Sequence, residues 1–237
     1  MPSKSTIEWT QITWNPVTGC SKISSGCKNC YAERMARRLH LMGSKRYVNE
    51  FKVTLQPDLL DFPRSIRLPK QIFVNSMSDL FHEEVPLEFI QKVFKTMNEC
   101  PQHIFQVLTK RSTRLAELAS RLPWSDNIWM GVTVEDDANK FRIADLKIVP
   151  AKVRFISFEP LLTKIDKPDL TGINWIIVGG ESGPGARPVQ KEWVESLQRC
   201  ASNFAIPFFF KQWGGTNKKK SGKLLNGEIF QESPAFA

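Results

Sequence analysis

The sequence predicts an α/β fold, a partial barrel of the (βα)6 type with parallel strands and outer helices. Short apolar strands alternate with amphipathic helices of roughly 10–15 residues, which is typical of βα units and a parallel sheet. No G-x-G-x-x-G turn follows a strand, which favours a barrel over a dinucleotide-binding sheet. Polar residues follow several strands at the end where α/β barrels form their sites, at 75–79, 109–111, 133–135, 159–160 and 180–182.

The predicted strands are short apolar runs, at residues 12–14, 71–75, 103–109, 128–133, 154–158, 175–179 and 207–211. The predicted helices carry apolar side chains every three or four residues, at 31–42, 86–100, 112–121, 138–146 and 190–201. Prolines interrupt the stretch 44–70, which we expect to be mostly irregular. This count gives six strands in the repeating part and a seventh in the lead-in at 12–14.

The chain is long enough for one α/β domain, predicted over residues 1–215 with a cysteine loop at 19–31. Residues 216–237 form a polar tail, expected to pack on the barrel or to trail from it. Residues 1–10 lack the apolar run of a signal peptide, and no apolar stretch is long enough to span a bilayer. We therefore expect a cytoplasmic protein with no membrane partner, in which thiols stay reduced.

The 33 Lys and Arg residues exceed the 24 Asp and Glu residues and give a net charge of +9. Such an excess suggests a polyanionic partner, with DNA or RNA as the candidates, because each neutralised phosphate releases counterions. The alternative is that the charge serves solubility alone. The composition leaves both open.

Three of the five cysteines, Cys20, Cys27 and Cys30, lie within eleven positions in the spacing C-x6-C-x2-C. Three thiolates are good ligands for a soft metal, and the missing fourth ligand indicates a centre with an open coordination position. One interpretation is a 4Fe–4S cluster with one iron free for a small molecule. A second is zinc, with a fourth ligand from His40, His82, His103, Cys100 or Cys200. A third is three reduced thiols that bind no metal.

Five segments together resemble the phage-associated three-Cys-motif family, a compact branch of the radical S-adenosylmethionine (SAM) superfamily. They are the cysteine loop from Gly19 to Ala32, Thr109-Lys110-Arg111, Phe158-Glu159-Pro160, Gly179-Gly180-Glu181-Ser182-Gly183 and Phe210-Lys211-Gln212-Trp213-Gly214. The resemblance covers roughly residues 9–234. The chain departs from the usual superfamily spacing C-x3-C-x2-C in its first gap.

The resemblance implies that Cys20, Cys27 and Cys30 hold the cluster and that the amino and carboxylate groups of SAM bind the open iron. An electron from a reductant such as flavodoxin or ferredoxin would then cleave SAM and yield a 5′-deoxyadenosyl radical. It implies a nucleic-acid base or nucleotide as substrate. No catalytic residue is predicted. The main alternative is a zinc-stabilised, basic nucleic-acid-binding protein without catalysis.

SAM needs a cation or backbone amides for its carboxylate and an acceptor for its ammonium. Lys110 or Arg111 suits the first role, and Glu181, Glu159 or Asn75 suits the second. The resemblance places Tyr31 against the adenine. Three further strand-end residues are expected in the same cofactor site, namely Ser76, Thr133 and Gly180, the last because a glycine permits close backbone approach. Each of these residues could instead be a strand-end cap, an ion-pair partner or a packing residue.

Overall fold

The computed structural model describes residue 5 and residues 7–235 of the chain. Predictions for residues 1–4, 6, 236 and 237, at the two termini, lie outside the described residues. In the part that is described, no helix combines the length and the apolar character that crossing a membrane requires.

Seven parallel strands form one sheet in the order β1-β4-β5-β6-β7-β8-β9. They are β1 (Ile12–Trp14), β4 (Gln71–Val74), β5 (Ile104–Thr109), β6 (Ile128–Thr133), β7 (Val153–Phe158), β8 (Trp175–Gly179) and β9 (Phe208–Gln212). The short strands β2 (Val17–Thr18) and β3 (Thr54–Leu55) pair antiparallel, and β3 lies inside the stretch 44–70 that was expected to be mostly irregular. The α/β fold class and the seven-strand count are confirmed.

Five of the helices lie where the apolar periodicity predicts them. They are α1 (Tyr31–Leu41), α2 (Leu87–Asn98), α3 (Ser112–Leu118), α4 (Arg142–Lys147) and α5 (Lys191–Asn203); a four-residue helix α6 (Lys218–Ser221) was not predicted. The predicted helix at 138–146 is shorter than expected, because its first part is a 3₁₀ turn at Asp137–Asn139. The carboxylate of Asp136 accepts a hydrogen bond from the Asn139 backbone and holds that turn.

Burial explains why the strand predictions were accurate. All six residues of β6 and all five of β8 are buried, so both strands are continuous apolar runs rather than alternating ones. On α2 the buried side chains are spaced three and four residues apart, including Ile90, Val93, Phe94 and Met97. Each such side chain contributes about 1.5–3 kcal/mol when it is removed from water.

The described residues form two compact units. The first comprises residues up to 23 together with 30–130 and 149–152, and the second comprises residues 24–29, 131–148 and 153 onwards. In the first unit Trp14 is buried and its indole Nε1 donates to the carbonyl of Leu59 at 2.7 Å. In the second, Trp175 packs against the rings of Phe155 and Phe209.

The C-terminal tail lies against the last strands of the second unit. The backbone N–H of Phe210 donates to the carbonyl of Phe230 at 2.8 Å, and the indole Nε1 of Trp175 donates to the carbonyl of Glu232 at 2.8 Å. The carboxylate of Glu232 also accepts from the backbone of Phe208 at 2.9 Å. Backbone pairing therefore continues past β9 into the tail.

Candidate functional site

Asp79 organises the ends of β4 and β5 in the first unit. Its carboxylate is buried and accepts a hydrogen bond from the Thr109 hydroxyl at 2.7 Å and another from the Lys110 backbone N–H at 3.1 Å. A third comes from the backbone of Phe81 at 3.0 Å. Because the carboxylate joins both strand ends, it fixes the segment that carries Lys110 and Arg111.

Arg111 lies at the end of β5 and contacts the cysteine loop directly. Its Nη1 is 3.6 Å from Sγ of Cys20, and its Nη2 donates to the hydroxyl of Ser21 at 2.9 Å. Nε donates to a carboxylate oxygen of Glu83 at 2.9 Å. Burial opposes the charged guanidinium, but the partner carboxylates and the Cys20 sulfur outweigh it and raise the pKa of Arg111. The side chain is therefore a fixed positive charge beside the first cysteine.

His82 supports the same stretch of loop. Its Nδ1 accepts the backbone N–H of Glu84 at 3.1 Å, so the ring proton lies on Nε2, which donates to the Ser21 hydroxyl at 2.7 Å. Burial, followed by the charge of Arg111, lowers the pKa of His82. The imidazole is neutral at pH 7 and donates to Ser21.

Two predicted SAM-binding residues in the first unit have polar groups without protein partners. Asn75 follows β4 with a φ of 62°, is 3% exposed, and neither atom of its side-chain amide makes a hydrogen bond. The half-buried ammonium of Lys110 forms no ion pair or hydrogen bond with any described residue. A buried amide left unpaired costs about 1–3 kcal/mol, so it is a feature that a ligand would relieve. Ser76, by contrast, donates to the side chain of Asn15 at 3.1 Å.

In the second unit, Glu135 anchors the middle of the cysteine loop. Its fully buried carboxylate accepts hydrogen bonds from the hydroxyl of Ser24 and, at 2.7 Å, from Nη1 of Arg142. Gly26 lies directly on it, and a Cβ at that position would be 2.9 Å from Oε1 of Glu135. The same Arg142 nitrogen donates to the carbonyl of Thr133 at 2.8 Å. The carbonyl of Thr133 therefore contacts the buried ion pair between Arg142 and Glu135.

Glu181 is engaged with protein partners. Arg187 donates to it from Nε at 2.8 Å, from Nη2 at 2.6 Å and from its backbone at 2.9 Å, and Asn29 donates at 3.0 Å. Burial raises the pKa of Glu181, but these hydrogen bonds outweigh it and lower the pKa to about 2. Nη1 of Arg187 also donates to the carbonyl of Ser25 at 3.0 Å. The carboxylate therefore holds the Ser25–Asn29 stretch.

The glycine motif after β8 packs against the motif after β9. A Cβ on Gly180 would be 2.1 Å from the carbonyl oxygen of Trp213, so this glycine allows two backbones to approach each other. The bridge between Ser182 and Gly215 extends that pairing. Glu159, after β7, forms an ion pair with Nζ of Lys211 at 2.5 Å.

The three loop cysteines form no disulfide with a described residue and are of intermediate exposure. Cys20 and Cys30 belong to the first unit and Cys27 to the second. Cys27 lies in a 3₁₀ turn in which its Sγ is 3.7 Å from the hydroxyl of Ser24. Tyr31 begins α1 and is 58% exposed. Among the described residues, no three His, Cys, Asp or Glu side chains are grouped closely enough to hold a metal ion, and the cysteine ligand set stays a prediction.

The chemistry of these residues fits an iron–sulfur cluster with SAM. Thiol sulfur is the donor that such clusters take, and Cys20 has a guanidinium N–H directed at its sulfur. The unpartnered amide of Asn75 suits the polar groups of a nucleoside or amino acid.

Sequence reasoning did not assign the residues that hold the loop, among them Asp79, Glu135 and Arg187. Asp79 and Glu135 stand at strand ends that the sequence marked as polar, which is the signal that could have found them. Arg187 follows a glycine-rich turn and has no local signal. Its partner becomes visible only when the chain is folded.

A family model described as "Protein of unknown function (DUF5131)" matches residues 4–234. The chain belongs to the DUF5131 family. No curated protein matches it. The family's match spans all the motifs on which the resemblance to radical SAM proteins rests.

This DUF5131 protein is similar in fold to several structures of spore photoproduct lyase. A tyrosine-to-phenylalanine variant has a TM-score of 0.58 at 10% identity, covering 90% of this chain and 79% of that one. The lyase complexed with dinucleoside spore photoproduct has a TM-score of 0.57 at 10% identity, covering 89% and 78%. A double variant with bound AdoMet and dinucleoside spore photoproduct has 0.52 at 10% identity, covering 84% and 63%. The partial-barrel fold of this chain is therefore similar to the fold of spore photoproduct lyase.

Proposed function

We propose that this DUF5131 protein is an iron–sulfur enzyme of the radical SAM type that acts on a nucleic-acid base or nucleotide. The observation that carries the proposal is a buried amide with no hydrogen bond to a described residue, together with a half-buried ammonium at the end of the adjacent strand. The buried amide of Asn75 follows β4, and the ammonium of Lys110 follows β5, its neighbour in the sheet. Together they offer hydrogen bonds and a positive charge at the strand ends where an α/β barrel binds its ligands.

Cys20, Cys27 and Cys30 would hold a 4Fe–4S cluster through their sulfurs. When bound, the cluster and SAM supply a 5′-deoxyadenosyl radical that takes hydrogen from a substrate. The electron would come from a reductant such as flavodoxin or ferredoxin.

Lys110 is the better of the two cations proposed for the SAM carboxylate. Its ammonium has no described partner, whereas the guanidinium of Arg111 is occupied by Glu83, Asp79 and the cysteine loop. Asn75 is the better acceptor for the SAM ammonium. Glu159 and Glu181 already accept hydrogen bonds from Lys211 and Arg187.

Tyr31 adjoins Cys30 at the start of α1 and is open to solvent, so its ring is accessible for stacking on the adenine. Ser76, Thr133 and Gly180 remain in the proposed set of cofactor-binding residues on the basis of the sequence alone.

A nucleic-acid substrate is supported by two independent features. The chain carries a net charge of +9, which favours a polyanion. Structures similar in fold include one of spore photoproduct lyase with a dinucleoside substrate, and another with that substrate and AdoMet. The proposal keeps both DNA and RNA as candidates. Phage association and a cytoplasmic location stay predictions from the sequence.

The test is metal and cleavage analysis of protein purified and reconstituted without oxygen. We expect a brown protein with iron and sulfide that, after reduction with dithionite, converts SAM into 5′-deoxyadenosine and methionine. Cys27→Ala should lose the iron and stay folded, and Cys200→Ala, outside the loop, should keep it. A colourless protein that carries zinc and leaves SAM intact would instead support the zinc-stabilised, nucleic-acid-binding alternative.

A further inference from the structure

Arg111 commits all of its hydrogen-bond donors to the first unit. An arginine has five N–H groups. Nε donates to the carboxylate of Glu83. Nη1 lies 3.5 Å from a carboxylate oxygen of Asp79 and 3.6 Å from Sγ of Cys20. Nη2 donates to the hydroxyl of Ser21 at 2.9 Å and to its carbonyl at 3.3 Å. The side chain is 5% exposed. No donor is left for a small-molecule carboxylate.

The partners of Arg111 come from two separate stretches of chain. Asp79 and Glu83 follow β4, and Cys20 and Ser21 begin the cysteine loop. The guanidinium is itself held because Asp79 also binds the backbone N–H of Lys110, its neighbour in sequence. A planar guanidinium can join two carboxylates to a sulfur and a hydroxyl, whereas the single ammonium of a lysine cannot span them.

We propose that Arg111 is a positioning residue that orders the Cys20–Ser21 half of the cysteine loop before a metal binds. The backbone of this half has two hydrogen bonds of its own, from Gly19 to the carbonyl of Met77 and from Cys20 to the carbonyl of Phe51, each at 3.0 Å. Arg111 adds the side-chain contacts that hold the loop onto the ends of β4 and β5. Under this proposal, protein contacts alone order residues 19–21.

With the metal centre bound, Arg111 also places a charged N–H beside the sulfur of one ligand. This second part of the inference rests on the proposed function, which names the centre as an iron–sulfur cluster. Hydrogen bonds and positive charge near cluster sulfurs favour the reduced, more negative state and raise the reduction potential. Arg111 should therefore make the cluster easier to reduce.

The first test uses the metal-free full-length chain and amide hydrogen exchange. In Arg111→Gln, residues 19–22 should exchange about tenfold faster than in the wild type, because charged hydrogen bonds that close this segment are lost. Residues 25–29, which Glu135 and Arg187 hold, should exchange at the wild-type rate. Lys110→Gln is the matched control and should leave residues 19–22 protected, since its ammonium does not touch the loop.

Arg111→Lys keeps the positive charge beside Asp79, and it allows the test to be carried out if Arg111→Gln does not fold. We expect it to be folded and to show intermediate exchange at residues 19–22. Wild-type protection in both Arg111 variants would overturn the inference. So would wild-type protection combined with loss of SAM binding, which would make Arg111 a direct ligand of the cofactor.

The second test is a redox titration of reconstituted protein followed by electron paramagnetic resonance. Arg111→Gln should retain several-fold less iron after gel filtration than Lys152→Gln, which removes an equal charge from a surface pair with Asp126. Its remaining cluster should also have a lower reduction potential than the cluster of Lys152→Gln. Equal reduction potentials and equal iron contents in the two variants would show that Arg111 does not act on the cluster through the sulfur of Cys20. A wild-type protein that takes up no iron would defeat the proposed function, while the exchange result would still decide whether Arg111 orders the loop.

Discussion

Arg187 and Glu181 form a two-point ion pair in the second unit, with Nε 2.8 Å from Oε2 and Nη2 2.6 Å from Oε1. The pair is a support for the cysteine loop, because Glu181 also binds Asn29 and Arg187 also binds the carbonyl of Ser25. From the sequence, Glu181 was one predicted acceptor for the SAM ammonium. In the fold its oxygens are occupied, and its charge is already matched by an arginine.

The first prediction concerns acid stability. The pKa of Glu181 is about 2 in the folded protein against an ordinary value of 4.5, so its contribution is complete above about pH 4.5 and is lost as the pH falls towards 2. A shift of this size corresponds to about 3 kcal/mol of unfolding free energy. Urea unfolding between pH 6 and pH 3 should show more than half of that loss.

Glu181→Gln supplies the control for the acid prediction. The variant should be less stable than the wild type at pH 6 and should lose less stability on acidification, because it has no carboxyl group to protonate. Parallel stability curves for the two proteins would show that Glu181 is not responsible for the dependence.

The second prediction compares two neighbouring glycines. A Cβ at position 180 would be 2.1 Å from the backbone oxygen of Trp213, whereas a Cβ at position 179 would be 3.4 Å from the nearest atom of Glu159, an ordinary contact. Gly180→Ala should destabilise the protein by roughly 3 kcal/mol or more, because backbone must move. Gly179→Ala should cost less than about 1 kcal/mol. Urea midpoints would check this, and equal losses would contradict the close approach.

The third prediction concerns SAM affinity. Lys110→Gln should weaken SAM binding by about tenfold or more, since a cation for the carboxylate is removed, and should leave the unfolding free energy nearly unchanged because the ammonium has no described partner. Titration calorimetry on reconstituted protein measures the first and urea unfolding the second. Lys152→Gln, which removes an equal charge from a surface pair with Asp126, is the control. Wild-type affinity in Lys110→Gln would exclude Lys110 from the site.

The fourth prediction concerns the partner. If a nucleic acid is the substrate, affinity for a single-stranded oligonucleotide should fall by about tenfold or more between 50 and 200 mM salt, because phosphate contacts release counterions. Fluorescence anisotropy at several salt concentrations measures this slope. SAM binding in the same buffers is the reference and should change far less. A flat oligonucleotide curve would favour a small-molecule substrate.

The sequence by itself determined the strands, most helices and the cysteine loop. The strands 128–133 and 175–179 were predicted with the bounds that the structure has, since fully buried strands are continuous apolar runs that can be read locally. The polar residues Asp79 and Glu135 could also be recognised locally, because they follow the apolar runs of β4 and β6. The α/β partial-barrel fold was also predicted, and the similarity to spore photoproduct lyase structures confirms that fold.

Only the tertiary structure decided which charged groups are engaged and which are unpaired. Asn29 and Glu181 are 152 positions apart, and Arg111 and Cys20 are 91 apart, so no local pattern could pair them. Before folding, Lys110 and Arg111 are equivalent neighbouring cations. After folding, Arg111 is surrounded by acceptors, whereas Lys110 has none among residue 5 and residues 7–235. Side-chain partners are set by long-range packing, while helices and strands follow from the spacing of apolar residues along the chain.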